Sequence, residues 1–166
     1  MPAGIDFPTR GGSYAVWLHL DTARRLVVGR LGGVDFLPGE YVYLGSAHGP
    51  GGLRARLERH QAGSPRRRWH VDYLRAWAIP RGGLYAAGDE NLECAWTQAL
   101  LRSPRASVAV PGFGASDCSH GCPAHLVYFR HPAHAAAALD ALAGEGEQVM
   151  RWDTGGAEIT TMLRVK

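Results

Sequence analysis

Between residues 13 and 20, Tyr14, Val16 and Leu18 alternate with Ala15, Trp17 and His19, the two-residue period of a strand with unequal faces. Residues 26–31 predict its partner across Asp21-Thr22-Ala23-Arg24, a hairpin. Gly32 and Gly33 turn the chain, 34–37 predict a short extension, and Pro38-Gly39 lead into a third strand over 40–44, ended by Gly45-Ser46. Gly49, Pro50, Gly51 and Gly52 can continue neither regular element. After them the period lengthens: Leu53 and Leu57 lie four apart, and 53–62 read as a helix. The start of that helix presents unpaired N–H groups and the positive end of its dipole to a glycine turn, which is expected to take a phosphate.

The same spacing continues downstream. Trp69 with Tyr73, and His70 with Leu74, predict a short helix running towards Trp77. Residues 82–87 predict a strand, and Asp89 is the expected N-cap of a helix whose buried stripe is Leu92, Trp96, Ala99 and Leu100. A strand over 126–130, a helix over 132–143 stopped by Gly144, and a closing hairpin from 148–152 and 158–165 complete the chain. The expected fold class is α+β. Residues 1–11 read as a lead-in without a role, followed by one domain over 12–166, with a core of about 12–105 and a C-terminal α/β extension of about 106–166.

Composition narrows the setting. A chain of 166 residues with 46% hydrophobic residues suits a single globular domain of ordinary core size. No apolar run approaches bilayer length, and the start of the chain lacks the apolar stretch of a secretory signal, so no membrane partner and a cytoplasmic location are expected. Three cysteines, Cys94, Cys118 and Cys122, mark no disulfide framework. The net charge of +3 is concentrated: Arg54, Arg56, Arg59, Arg66, Arg67 and Arg68 face only Glu58 in their interval. Arginine forks reward phosphates, and with Trp69 and His70 beside them the patch suits a nucleic-acid backbone and its bases. Arg56 and His60, four apart, share one helical face and can address one ligand. His70 and Asp72 fit a metal, a proton relay or a purely structural role.

The string Y-V-Y-L-G-S-A-H-G-P-G-G-L-R-A-R, with W-H-V-D-Y-L and G-F-G-A-S-D-C, resembles the GIY-YIG nuclease superfamily, most closely its DUF123 branch of uncharacterised function. The resemblance spans roughly residues 10–130. It implies a small mixed or antiparallel sheet flanked by helices and an endonuclease that hydrolyses phosphodiesters in DNA, with a structure-specific substrate as one form. Its implied catalytic residues are Tyr14, Tyr43, Arg56, His60 and Glu93. Glu93 would hold one Mg²⁺ or Mn²⁺, Arg56 would clamp the scissile phosphate, Tyr14 would orient or deprotonate a water, Tyr43 would assist, and His60 would complete the proton path. The surface expected to meet nucleic acid comprises Ser46, Arg54, Arg59, Arg66, Arg67, Arg68, Trp69 and His70. Ser13 departs from the family pattern, which has an apolar residue there. A non-catalytic nucleic-acid binder on the same fold is the alternative.

Residues 112–125 carry a second set of candidates. Cys118, His120, Cys122 and His125 are soft or borderline ligands suited to Zn²⁺, and a small zinc-binding interaction module is a third reading. Structural zinc sites draw ligand pairs from separate segments, whereas these four crowd one loop. Two other readings stand beside zinc: a reduced cysteine loop, and, from the resemblance, an approach of Asp117 to the cleft.

Overall fold

The structure is a computed structural model that describes residues 4–144, 148–155 and 160–161. Nine strands and four α-helices are described, in the order β1 (Gly12–Leu20), β2 (Arg24–Val27), β3 (Gly33–Phe36), β4 (Gly39–Ser46), α1 (Gly52–Ala62), α2 (His70–Arg75), β5 (Ile79–Ala87), α3 (Glu93–Leu101), β6 (Ala106–Ser107), β7 (Leu126–Phe129), α4 (Pro132–Gly144), β8 (Met150–Asp153) and β9 (Thr160–Thr161). Seven strands form one sheet in the order β6-β7-β4-β1-β5-β8-β9, every neighbouring pair antiparallel. This is the expected α+β class.

Alternation along β1 decides the layers. Tyr14, Val16, Leu18 and Leu20 face a core shared with Leu53 and Leu57 of α1 and with Val71 and Leu74 of α2. Ala15 faces the other side with Val42, Leu44 and Leu84, under Trp96 and Leu100 of α3 and Leu139 of α4. Leu53 and Leu57 are fully buried, which stabilises the fold by about 1.5–3 kcal/mol each.

Four expectations change. The hairpin between 13–20 and 26–31 does not form; β2 pairs with β3 in a separate two-stranded sheet. Both edges of β1 are taken by β4 and β5, and β2, with Arg24, Arg25 and Val27 exposed, would bury charge in the centre of a sheet. The helix placed at Asp89 begins at Glu93, where the Asn91 side chain accepts the Glu93 N–H at 3.0 Å. The segment before it is pinned by Ser13, a fully buried residue whose Oγ accepts the Leu92 N–H at 2.8 Å. That contact gives the buried Ser13 hydroxyl a partner.

The third change concerns the glycine turn. Leu53 and Arg54 donate their N–H groups to the carbonyls of Arg10 and Pro8, both at 2.9 Å, so the start of α1 is already capped. Gly52 has φ +60°, and a side chain there would run into the Thr9 and Arg10 carbonyls. The phosphate site expected at this turn is filled by the protein's own backbone. The fourth change follows: within the stretch read as a lead-in, described residues 4–11 pack onto the domain through Phe7, which is fully buried and edge-on to Tyr85 and Trp152.

The closing hairpin is seen as β8 pairing with β9, Met150 opposite Thr161, while residues 158–159 and 162–165 of that expectation lie outside the described residues. Among the described residues, no helix is long and apolar enough to cross a membrane.

Candidate functional site

Where β1 begins and β4 ends, Tyr14 and Tyr43 project from neighbouring strands onto one face, their ring centroids 6.4 Å apart. The register sets Tyr14 opposite Gly45, and a Cβ on Gly45 would stand 2.5 Å from Cζ and Oη of Tyr14. A missing side chain at 45 is therefore what lets the phenol lie across β4. His60 points inward from the last turn of α1, 1% exposed, with Nε2 2.8 Å from the Tyr14 hydroxyl. Burial, against the pull of Asp72, drives the His60 pKa down to about 4, so the ring is neutral near pH 7. Burial, reinforced by Tyr43, also pushes the Tyr14 hydroxyl well above its ordinary value in spite of Arg56. Tyr43 is raised likewise, by burial and then Glu93. With both partners neutral, the phenol donates to Nε2 and the imidazole proton sits on Nδ1, which has no hydrogen-bond partner among the described residues.

A cationic rim stands on the same side. The Arg56 guanidinium lies 4.1 Å from the Trp69 ring centroid, with Arg68 at 4.8 Å and Arg59 at 4.9 Å. Asp72 holds this arrangement together. Its Oδ2 accepts the N–H groups of Arg68 and Trp69 at 2.8 and 2.9 Å and a donor from Arg59 at 2.9 Å. Burial would raise the Asp72 pKa, but these donors outweigh it and hold the carboxyl below its usual range. Asp72 is thus structural, and Arg59 is committed to it and to the Arg66 carbonyl. Arg54 is tied to Asp6 and the Phe7 carbonyl. Arg56 has no carboxylate partner among the described residues and is left to face the cleft.

The opposite wall is irregular. His70 Nδ1 accepts the Gly114 N–H at 2.8 Å, and its ring packs 5.5 Å from Phe113, which ties this segment to α2. Burial, opposed by Asp117, lowers the His70 pKa, consistent with an accepting nitrogen. Further bonds link Gly112 to the Pro123 carbonyl, His125 to that of Phe113, and Leu44 of β4 to that of His125.

This wall brings Cys94, Cys118, Cys122 and His125 together, their ligating atoms all within 4.8 Å of one another, a set that could hold a metal ion. Cys94 Sγ is 3.5 Å from Cys118 Sγ and 3.7 Å from His125 Nε2. His120 is not part of it; it is exposed, 3.3 Å from the Ser119 hydroxyl. The fourth ligand comes instead from the first turn of α3, which resolves the crowding of four ligands in one loop. Glu93 stands beside it, with Oε1 2.5 Å from His125 Nδ1. Burial lowers the His125 pKa, but the contact with Glu93 more than reverses this, to about 9. Burial raises the Cys94 thiol to about 12; at Cys118 burial is outweighed by backbone donors from Cys122 and His120, and the thiol falls to about 6.

The two walls enclose a cleft of about 400 Å³. Of the residues expected at the site, Tyr14, Tyr43, Ser46, Arg56, Arg68, Trp69, His70, Glu93 and Asp117 line it, and His60 stands directly behind Tyr14. Arg54, Arg59, Arg66 and Arg67 do not line it. Cys94 is the residue sequence reasoning missed. Its signal was available: it follows Glu93 directly, and a zinc set needs a ligand from outside the loop.

A sandwiched antiparallel sheet with a tyrosine-arginine-glutamate cleft at one end of its central strands defines the class of site. The family model described as "Domain of unknown function DUF123" matches residues 13–146, and the chain belongs to that family. Neither a curated protein nor a solved structure matches the chain.

Proposed function

We propose that the cleft binds a phosphodiester of nucleic acid, DNA in the first instance, and hydrolyses it with one Mg²⁺ or Mn²⁺. The observation that carries this reading is the convergence of Tyr14, Tyr43, Arg56 and Glu93 on one cleft, with His60 bonded to Tyr14. It joins the resemblance to the GIY-YIG nucleases, whose implied catalytic residues are these five. Arg56 supplies an uncommitted guanidinium fork for phosphoryl oxygens, and the Trp69 plane beneath it suits a base or sugar. Arg66, Arg67 and Arg68 extend the positive rim along the backbone.

The carboxylates lining the cleft are Glu93 and Asp117. One or two carboxylates with several retained waters are the normal holding of Mg²⁺, so the donor set fits a hydrated ion there. Such an ion would supply charge neutralisation at the phosphate. Tyr14 donates its proton to His60, which leaves its oxygen lone pairs free to accept from a water and orient it. Full proton abstraction would pass the phenol proton to His60 Nε2 as Tyr14 takes one from the water. The thiol and imidazole set takes zinc in this reading, and a cytoplasmic setting would keep its thiols reduced.

The test is cleavage of labelled single-stranded, duplex, flap and junction DNA in Mg²⁺ or Mn²⁺, with Glu93→Ala and Arg56→Ala alongside. Cutting is expected from the parent and should fall by at least about a hundredfold in each variant. No cutting, with binding kept by Glu93→Ala and weakened by Arg56→Ala, would replace the enzyme with a non-catalytic nucleic-acid binder.

A further inference from the structure

The thiol and imidazole set lies outside the cleft lining, yet one of its members touches the carboxylate on which the cleft depends. Two spacings in the set fit a tetrahedral zinc ion. Bonds of about 2.3 Å to sulfur and about 2.0–2.1 Å to nitrogen place neighbouring ligands about 3.8 Å apart for two sulfurs and about 3.6 Å for sulfur and nitrogen. Cys94 stands 3.5 Å from Cys118 Sγ and 3.7 Å from His125 Nε2. All four ligating atoms fall within 4.8 Å of one another, and His125 is 3% exposed. The ligands come from a helix, an irregular segment and the residue leading into β7, so one ion would join three elements.

The orientation of His125 adds the functional step. Nε2 faces Cys94, and Nδ1 lies 2.5 Å from Glu93 Oε1, an ion-pair contact whose angle falls short of a hydrogen bond, so that Nδ1 is a buried donor aimed at the carboxylate with no other partner among the described residues. An imidazole that gives Nε2 to a metal carries its proton on Nδ1 and donates it to a carboxylate, and a bound ion would turn this contact into such a bond and fix both groups. We propose that Cys94, Cys118, Cys122 and His125 hold one Zn²⁺ that acts as a positioning centre: through His125 it fixes Glu93 at the rim of the cleft. The carboxylate is then oriented by its Oε1 contact, with Oε2 left for the cleft. The ion also staples the segment carrying Asp117 against the start of α3. This rests on the zinc assignment above but not on cleavage.

The experiment uses the full chain purified under reducing conditions. One zinc per chain is expected by elemental analysis, with Co²⁺ substitution giving thiolate charge-transfer and tetrahedral ligand-field bands. Cys122→Ser should lower the zinc content, and His120→Ala should leave it unchanged. Zinc affinity is then measured by chelator competition in the parent and in Glu93→Gln, which should bind zinc at least about tenfold more weakly, the usual cost of losing a ligand's outer partner. Folded, reduced protein without zinc and without cobalt bands would sink the metal site itself. Stoichiometric zinc with unchanged affinity in Glu93→Gln would leave the site standing and overturn its hold on Glu93. Absence of DNA cutting bears on neither result, because both readouts are binding measurements.

Discussion

The two walls of the cleft are built on different physical principles. The tyrosine wall consists of β1, β4 and α1, where Tyr14, Tyr43 and His60 are each at most 7% exposed and are set by strand register and helical spacing. The thiol wall, across residues 112–125, has no helix or strand before β7 and is held by Phe113 in the core, a few backbone bonds and a His70 contact. Burial over-determines the first wall. The second is anchored in the core at Phe113 and Ala124, but 114–123 between them have no buried side chain, and a cluster of ligands stands where a core would otherwise be. A site made this way has one side that tolerates almost no change and another whose geometry follows its ligand.

The contrast can be broken by removing the ligand. Chelation of zinc from the full chain should raise amide hydrogen exchange across 112–125 by at least about tenfold while β1 and β4 stay protected. Equal loss on both sides would mean that the walls are not independent.

Crowding the tyrosine wall should cost the most stability of any single change there. Gly45→Ala sets a methyl 2.5 Å from the Tyr14 ring, and a loss of about 1–3 kcal/mol is expected by urea unfolding, with little change in zinc content.

Acid should act on the same wall. The His60 imidazole titrates near 6.5 when unfolded and at about 4 in the folded protein, so the unfolded state binds more protons between those values. The contribution is fully present above about 6.5 and is lost as pH falls towards 4, by up to about 3 kcal/mol. His60→Gln should flatten that part of the stability profile; a slope unchanged in the variant would assign it to other groups.

Tyr14→Phe removes one buried hydroxyl bond and should destabilise the fold by only about 1 kcal/mol, while lowering any cutting far more than that. The smallest effect belongs to Arg54→Ala. Its pair with Asp6 is largely exposed and its bond to the Phe7 carbonyl is only part-buried, so a loss of about 1 kcal/mol of stability at most and no change in DNA affinity are expected.

The same contrast governs what could be read from the chain. The meeting of Tyr14, Tyr43, Arg56 and Glu93 at one cleft, with His60 behind Tyr14, was legible through the family resemblance; strand alternation and i to i+4 spacing alone fit ordinary sheet and surface residues equally well. The strand and helix periods of β1, β4, α1, α3, β7 and α4 were legible from that alternation and spacing themselves. The pairing of β2 was not, because a hairpin turn looks local while the choice of partner is made by β4 and β5 arriving from farther along the chain. Cys94 was missed because a metal set assembled from distant segments has no period. Residues 4–11 were missed because Phe7 is a single apolar residue among prolines and glycines, and its burial depends on Tyr85 and Trp152.

The strap formed by Pro8 and Arg10 over the start of α1 also has a kinetic meaning. Its bonds join residues more than forty positions apart, so the helix cannot receive its cap until the chain has closed a long loop. During synthesis α1 would emerge with its first N–H groups facing water and any passing anion. Completion of the cap would then mark the moment when the N-terminal segment is locked down, and a refolding phase reported by Tyr85 and Trp152 around Phe7 would time it.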